Sequence, residues 1–447
     1  MSLTARIRDR RLDAAPRRSE SFAFGASGFP IQLMGQTVSA FIVYFYVAHL
    51  GVAAEWVAAA MIAHGILNAL LNPVVGAMSD RIRTPWGRRV PWIGLGIVPL
   101  VVAFTLIWMP PELPAGGLIV WFLIVVAVYD IAFVVVVLNI SALFPEIFRT
   151  TEERARGNVP RQVFAIVGMV LGTAGAPLLY GSIGWPGMAL ALGFVCVVMF
   201  AWSFGGGMIE RRGVIAVEGA EAPMRWTDQL RYTFANRAFV PYVLGSLFVQ
   251  TAIAVILAAI PFYVRYSLHA SEGEGSILLG AIFVTAIPAI FLWSWVVRRT
   301  TPRVAVLWSV GVFGVAVLGF LLATDVVGAA LVGIAVGVGV GGLLQLLEVA
   351  LSQIIDDDAL RTGHRREGVY FGVNGFVVKG SIVLQAIVAA WVLNASGFDA
   401  ALGDSQPDAV DGGIRIMLAV VPMAFTALAW VCFFLYPIRT RDVVASA

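Results

Sequence analysis

Long apolar runs, joined by short polar segments, are the feature that most restricts how this chain can fold. We count twelve runs of roughly 18–28 residues, each long enough for an α-helix to cross the hydrocarbon core of a bilayer. Hydrophobic residues make up 60% of the 447 residues and charged residues only 13%, and the charges cluster between the runs. The pattern predicts an all-α membrane protein with twelve transmembrane helices and excludes a water-soluble domain.

The longest polar interruption, 207–236, divides the predicted spans into two groups of six. The spans are expected near 22–47, 56–78, 92–109, 117–144, 159–181, 186–205, 238–264, 276–297, 304–323, 326–354, 368–394 and 414–436. The predicted domains are an N-terminal tail (1–21), a six-helix bundle (22–206), a linker (207–236), a second six-helix bundle (237–437) and a C-terminal tail (438–447).

Arginine is concentrated on one side of the predicted spans, and carboxylates such as Glu55, Glu272 and Asp404 lie on the other. By the positive-inside rule, the arginine side is cytoplasmic, and it contains both termini, the linker and the tails. We therefore expect a multi-pass protein of the cell inner (plasma) membrane. No cleavable signal peptide is expected, because the first apolar run is too long for one.

The segment from Asn72 to Trp92 packs an aspartate, four arginines and helix-breaking Gly and Pro residues between two spans. Such a rigid charged connection suits a gate in a transporter that rocks between two states, with Asp80, Arg88 and Arg89 as the gating residues. The alternative is a basic loop that only sets topology. A similar arginine-rich turn at 298–303, in the second half, is the sign of a parallel repeat, in which substrate binds between the halves.

Ionisable residues inside the spans are few, and they point to function. The only lysine, Lys379, lies about 18 Å along its predicted helix from the cytoplasmic end. Asp130 and Glu348 are candidate partners for it and candidates for proton coupling, and Arg161 opens another span. A polar cavity lined by these side chains is one interpretation, and a buried salt bridge that fixes helix packing is the other.

Neutral polar residues extend the candidate substrate site. His64, Asn68 and Asn72 are four residues apart, so they share one helix face, and Asn374 lies in the same predicted span as Lys379. Amide groups together with abundant Trp and Tyr suit polyhydroxylated ligands. The alternative is that these side chains bind only to neighbouring helices.

Several classes of function find no support in the sequence. The chain has no nucleophile with a base, no nucleotide motif and no Cys/His metal spacing, so we expect neither an enzyme nor a bound metal or cofactor. Cys196 and Cys432 lie in apolar runs and are expected to be buried thiols. The net charge of +3 reflects the cytoplasmic loops, so nucleic acid is not an expected partner. The expected partners are the lipid bilayer and a small-molecule substrate, and the expected state is a monomer.

Three motifs and the lysine together resemble one family. The motifs are the 79–91 loop, L-F-P-E-I-F-R-T-T-E-E-R-A-R and R-T-G-H-R-R-E-G-V-Y-F-G. They are similar to those of the glycoside–pentoside–hexuronide:cation symporters of the major facilitator superfamily. The resemblance runs from about Phe22 to about Pro437 and implies two six-helix bundles that alternate access around a central sugar site.

The resemblance also implies roles for particular residues. Lys379 and Arg161 fall where the family has a cavity lysine and a cavity arginine. The family's first-helix aspartate is replaced by Pro30. Its cation-binding carboxylates fall on Asn68, Asn72 and, in the fourth helix, near Val137. These neutral residues cannot supply the charge of the familiar sodium site, which argues against sodium coupling and leaves Asp130 as a candidate proton carrier.

The sequence therefore predicts a secondary active transporter that imports a glycoside or small oligosaccharide, either coupled to protons or uncoupled. One alternative is transport of lipid-like or drug-like amphiphiles. Another is a non-transporting membrane protein that uses the fold for binding or assembly.

Overall fold

The computed structural model describes residues 16–81, 88–208, 233–362 and 367–436, and the regular secondary structure in these ranges is helical throughout. The α-helices are α1 (Arg18–Gly25), α2 (Gly28–Tyr44), α3 (Ala54–Arg81), α4 (Val90–Ile107), α5 (Ala115–Ile147), α6 (Thr151–Val170), α7 (Ala176–Gly206), α8 (Phe239–Phe262), α9 (Gly275–Arg299), α10 (Pro302–Val317), α11 (Val326–Thr362), α12 (Glu367–Ser396), α13 (Asp408–Arg415) and α14 (Val421–Leu435). The predicted all-α fold class is confirmed.

The twelve predicted spans can be matched to these helices. Ten stretches in the described ranges are long and apolar enough to cross a membrane. The longest, Glu152–Gly206, bends at Gly184, whose φ of 72° interrupts the helix, so it accounts for two spans. The 28-residue α3 contains the remaining predicted span. The first helix begins at Arg18, inside the predicted N-terminal tail, while most of the linker and the whole C-terminal tail lie outside the described residues.

Two compact units divide the described chain. The first consists of residues 16–38, 62–81 and 88–208, and the second of 39–61, 233–362 and 367–436. In the first unit α4 packs along α5, and in the second α9 and α10 both pack along α11 while α8 packs against α12 and α14. The 39–61 segment, from the end of α2 to the start of α3, belongs to the second unit.

Glycines set the closest helix contacts in both units. In the second, a Cβ atom at Gly337 or Gly341 of α11 would overlap the carbonyl oxygens of Ile282 or Ala286 on α9. In the first, a Cβ atom at Gly172 would lie 2.5 Å from the carbonyl oxygen of Leu33. At these positions the absence of a side chain brings neighbouring helix backbones into direct contact.

The same irregular turn occurs twice, at Phe45–His49 after α2 and 218 residues later at Tyr263–Ser267 after α8. Both are π-helical, and each is closed by a backbone hydrogen bond across five residues, from Leu50 to Phe45 and from Leu268 to Tyr263. A left-handed residue follows each turn, Gly51 with φ 71° and His269 with φ 49°. Two other π-helical segments, Leu171–Gly175 and Ile416–Val420, are not followed directly by a left-handed residue. The recurrence of the turn together with that residue supports the repeat that the arginine-rich loops predicted.

The glycine contacts give a prediction of stability. Gly337→Ala should lower the free energy of unfolding by about 1–3 kcal/mol, because the new methyl group meets backbone that cannot move aside cheaply. Gly311→Ala in α10 is the matched control: its methyl group meets no atom within 4 Å, so its helix propensity should leave stability unchanged or raise it. Thermal unfolding in detergent would compare them, and equal midpoints would contradict the role of Gly337.

Candidate functional site

A histidine and an aspartate meet inside the first unit. His64 lies in α3 and Asp130 near the middle of α5, and Nδ1 of His64 contacts Oδ2 of Asp130. The Asp130 side chain is 2% exposed and that of His64 12%. An isolated charge is costly to bury, and the contact with His64 gives the buried Asp130 carboxylate a polar partner. The contact joins a predicted substrate residue to a predicted coupling residue.

Further buried polar atoms accompany this pair on α5. The Tyr129 hydroxyl and Oδ1 of Asn139 have no hydrogen-bond partner within the described part of the chain. The amide nitrogen of Asn139 donates to the carbonyl oxygen of Val135 at 2.8 Å. An unpaired polar atom costs roughly 1–3 kcal/mol to bury, so Tyr129 and Asn139 are positions on α5 where a ligand would gain a hydrogen bond.

Two glycines and an aromatic ring determine where Arg161 lies. A Cβ atom at Gly25 would come within 2.8 Å of the backbone nitrogen of Arg161, and one at Gly28 within 2.6 Å of its carbonyl oxygen. The first turn of α2 therefore rests directly on the backbone of α6. The guanidinium lies over the ring of Phe144, with Cζ 5.6 Å from the ring centroid. A cation held over an aromatic face keeps its outer donors available to a ligand.

The predicted gating arginines share a carboxylate. Nη2 of Arg88 donates to Oε1 of Glu146 at 2.7 Å, and Nε of Arg89 donates to the same oxygen at 2.9 Å. The two arginines precede α4, and Glu146 lies in the last turn of α5. This cluster ties two helix ends of the first unit together by charge-assisted hydrogen bonds.

In the second unit, α12 carries Asn374 and Lys379, and both side chains are half-buried. Five residues separate them, so they point about 140° apart around the helix. Oδ1 of Asn374 is buried without a hydrogen-bond partner among the described residues. The two predicted substrate residues on α12 therefore lie on different faces of the helix.

Glu348 lies in α11, and its side chain is exposed within the second unit. One turn earlier, Nε2 of Gln345 donates to Oγ of Ser294 on α9 at 2.7 Å, while Oε1 of Gln345 is buried without a partner in the described ranges. Exposure distinguishes the two predicted coupling residues, because Asp130 is buried against His64 whereas Glu348 is not buried.

Three predicted residues cannot be located in detail. Asn68 and Asn72 lie one and two turns after His64 on α3, and Asp80 lies near the end of the same helix, but their side chains lie outside the described residues. Their shared helix face and the gating role of Asp80 stay predictions. Within the described ranges, no group of three or more His, Cys, Asp and Glu side chains is placed to hold a metal ion.

Sequence reasoning did not single out Glu146. It occurs in one of the motifs that carried the family resemblance, and it is the only acid in the run from Ala142 to Arg149. An acid flanked by apolar residues at the end of a predicted span is a signal that could have identified it. The pairing of His64 with Asp130 was also missed.

The helical architecture and the buried ionisable side chains define a multi-pass membrane transporter. A family model described as "MFS/sugar transport protein" matches residues 23–440. The chain belongs to this family, and it is a transporter rather than an enzyme.

Known proteins similar along most of their length include a Synechocystis protein described as an uncharacterised symporter, 24% identical over 94% of both chains. The sodium-dependent lysophosphatidylcholine symporter 1 of Xenopus tropicalis is 21% identical, over 93% of this chain and 86% of its own. The isoprimeverose transporter of Lactiplantibacillus pentosus is 23% identical, over 94% and 88%.

Among solved structures, a bacterial homologue of the human lysosomal transporter Spinster, crystallised inward-facing and unoccupied, aligns with a TM-score of 0.70 and 15% identity. The alignment covers 95% of this chain and 97% of that protein. The nucleoside transporter NupG aligns over 94% of this chain and all of its own, with a TM-score of 0.67 and 11% identity. At these identities the likeness concerns the fold, and it confirms the predicted major facilitator architecture.

The shared carboxylate gives a prediction for the first unit. Glu146→Gln should lower the free energy of unfolding by roughly 1–3 kcal/mol, because two partly buried arginines lose their common charged acceptor. Glu152→Gln is the matched control: Glu152 pairs with Arg156 on an exposed helix surface, where such pairs contribute only about 0.3–0.5 kcal/mol. Chemical denaturation in detergent would measure the free energy of unfolding of both variants. Equal losses would contradict a stabilising role for the contact of Glu146 with Arg88 and Arg89.

Proposed function

We propose that this protein imports a glycoside or small oligosaccharide together with a proton, by alternating access between two six-helix bundles. In this proposal the protein is a monomer in the cell inner (plasma) membrane, with both termini in the cytoplasm. The bundles are 22–206 and 237–437, and the arginine-rich connections face the cytoplasm. The positive-inside rule supports that orientation, and Arg88, Arg89 and Asp80 act as the inner gate beside Glu146.

The contact between His64 and Asp130 is the observation that carries the proposal of proton coupling. In this proposal the transported proton binds to this pair, because imidazole and carboxylate groups are the side chains that most often transfer protons. The neighbouring positions that resemble the family's cation site are neutral in this chain. A proton therefore requires no further carboxylate, whereas a sodium site of the familiar kind would.

The sugar class is supported by the family description and by similarity to a protein described as an isoprimeverose transporter. In this proposal Arg161 and Lys379 bind hydroxyl groups from the two halves, and Asn374, His64, Asn68 and Asn72 complete the site. The unpaired Oδ1 of Asn374 supports this assignment, because a sugar hydroxyl can donate to it. Glu348 is the second coupling candidate.

Transport of an amphiphile is the second candidate function, and similarity to relatives described as sodium-dependent lysophosphatidylcholine symporters favours it. The placement of Arg161 over Phe144 is compatible with this candidate as well, because a guanidinium can bind a phosphate. A substrate panel must therefore contain both chemical classes, and each must be tested with and without sodium.

Solute-induced pH change in vesicles containing the purified protein tests the proposal. Adding one glycoside outside should make the external medium alkaline, without any need for sodium, because solute and proton enter together. Uptake without a pH change would indicate facilitated diffusion and contradict proton symport. Uptake of lysophosphatidylcholine in preference to every glycoside would favour the second candidate.

Asp130→Asn should abolish the solute-induced pH change while leaving exchange of labelled solute across the membrane largely intact, because an amide preserves shape but cannot take up the proton. His64→Asn should weaken coupling in the same assay. Glu112→Gln, which alters an exposed carboxylate of the same unit, serves as the control and should leave both readouts unchanged. An undiminished pH change in Asp130→Asn would exclude this residue as the proton carrier.

Lys379→Ala should abolish solute binding while the protein still inserts and folds, because the cavity loses its lysine ammonium. Equilibrium binding of a labelled transported glycoside to the detergent-purified variant would measure this loss. Arg298→Ala, an exposed basic residue at the end of α9, is the control and should bind normally. Unchanged binding and uptake in Lys379→Ala would remove this residue from the site.

A further inference from the structure

A second polar cluster lies in the second unit, where α2 ends and α3 begins. It begins at the buried hydroxyl of Tyr44, the last residue of α2, which is 1% exposed. This hydroxyl donates to Oε1 of Glu272 at 3.5 Å, and the Arg265 guanidinium lies beside it. Nε of Arg265 in turn donates to Oδ1 of Asp404 at 2.8 Å.

A separate contact holds the start of α3. Nδ2 of Asn394, near the end of α12, donates to Oε2 of Glu55 at 3.1 Å. Between Tyr44 and Glu55 the chain turns through Gly51, where a Cβ atom would lie 3.8 Å from the Cβ of Ala400. Both ends of this short connection are therefore held by residues from the second half of the chain.

Aromatic side chains pack against one side of the same cluster and exclude solvent there. The ring of Phe262 packs edge-to-face on Tyr44, with centroids 5.1 Å apart. Phe398 in turn packs edge-to-face on Phe262 and on Tyr266, at 5.8 and 5.3 Å. The rings shield the Tyr44 hydroxyl from solvent. Asp404, in contrast, is solvent-exposed over 74% of its side chain.

The contacts that hold the 39–61 segment differ in chemistry from the contacts between α9 and α11. Within the second unit, α9 and α11 meet through glycines and apolar side chains with backbones touching. The 39–61 segment is largely buried through apolar side chains, and it adds two single hydrogen bonds, from Tyr44 to Glu272 and from Asn394 to Glu55. The ion pair of Arg265 with the exposed Asp404 joins two residues of the second half. Water competes for the polar contacts of the exposed carboxylates Glu55 and Asp404, so these contacts break and re-form at little cost.

We propose that Tyr44, Arg265, Glu272 and Asp404, with Glu55 and Asn394, form a latch that closes the outer face of the transporter. The inference rests on the proposed alternating-access function, in which the first two spans move with the first half of the chain. The latch must then open once in every cycle, when the 39–61 segment separates from the second half. The 28-residue α3, about 42 Å long, begins at Ala54, one residue before Glu55 of the latch.

A disulfide across the latch tests it. Cβ atoms 3.8 Å apart match disulfide geometry, so cysteines replacing Gly51 and Ala400 should crosslink on oxidation. Crosslinking should reduce solute uptake in vesicles at least tenfold, and reduction should restore it. Each single-cysteine variant, oxidised in the same way with Cys196 and Cys432 present, is the control and should transport normally. Failure to crosslink, or full crosslinking with undiminished uptake, would overturn the latch.

A second measurement avoids the left-handed backbone of Gly51, which a cysteine strains. In Ala400→Cys, a membrane-impermeant maleimide reports how often the latch opens. Adding Asp404→Asn or Tyr44→Phe should raise the labelling rate several-fold, whereas Asp408→Asn, an exposed carboxylate close by, should not change it. Equal labelling rates in all variants would contradict the latch. Labelling is read without solute, so this result stands even if no glycoside is transported.

Discussion

Water is absent from the interior of a bilayer, and the rest of the structure depends on that constraint. Without water, the backbone N–H and C=O groups form their hydrogen bonds within each helix. Helices therefore contact one another only through side chains, or through backbone that is exposed at glycine. Gly337 and Gly341 provide the second kind of contact. The few polar side chains that enter the apolar region must find partners there, as Asp130 does in His64. Polar contacts are therefore scarce, and each is a candidate for function.

The helical fold was predictable because hydropathy and length act locally. A run of apolar residues identifies a span without any knowledge of its neighbours, and the arginines at its ends mark its limits. Irregularities within a span leave no such signal. The bend at Gly184 and the π-helical turns at Phe45–His49 and Tyr263–Ser267 change direction or insert a residue without altering composition, so the sequence did not predict them.

The site was predictable residue by residue but not as an arrangement. Asp130 and His64 each attract attention because they are ionisable within apolar runs, but their contact depends on how α3 packs against α5. Arg265 and Glu272, in contrast, do not stand out in the sequence at all. Each lies where a span meets a loop, so both could be taken for solvated residues, and only the fold brings Tyr44 between them. Sequence alone ranks candidates by how costly their burial would be, and tertiary structure assigns the partners.

The π-helical turn after α2 changes which way side chains point. Each such turn adds one residue to a helical repeat, so the side chains that follow are rotated by about 100° from where a regular helix would place them. A single continuous segment can thereby present one surface before the turn and another after it. Because the turn recurs after α8, the same change in side-chain direction occurs in both halves of the chain. The second turn places His269 in the left-handed conformation that Gly51 adopts after the first, so a residue with a side chain bears there the strain that glycine avoids.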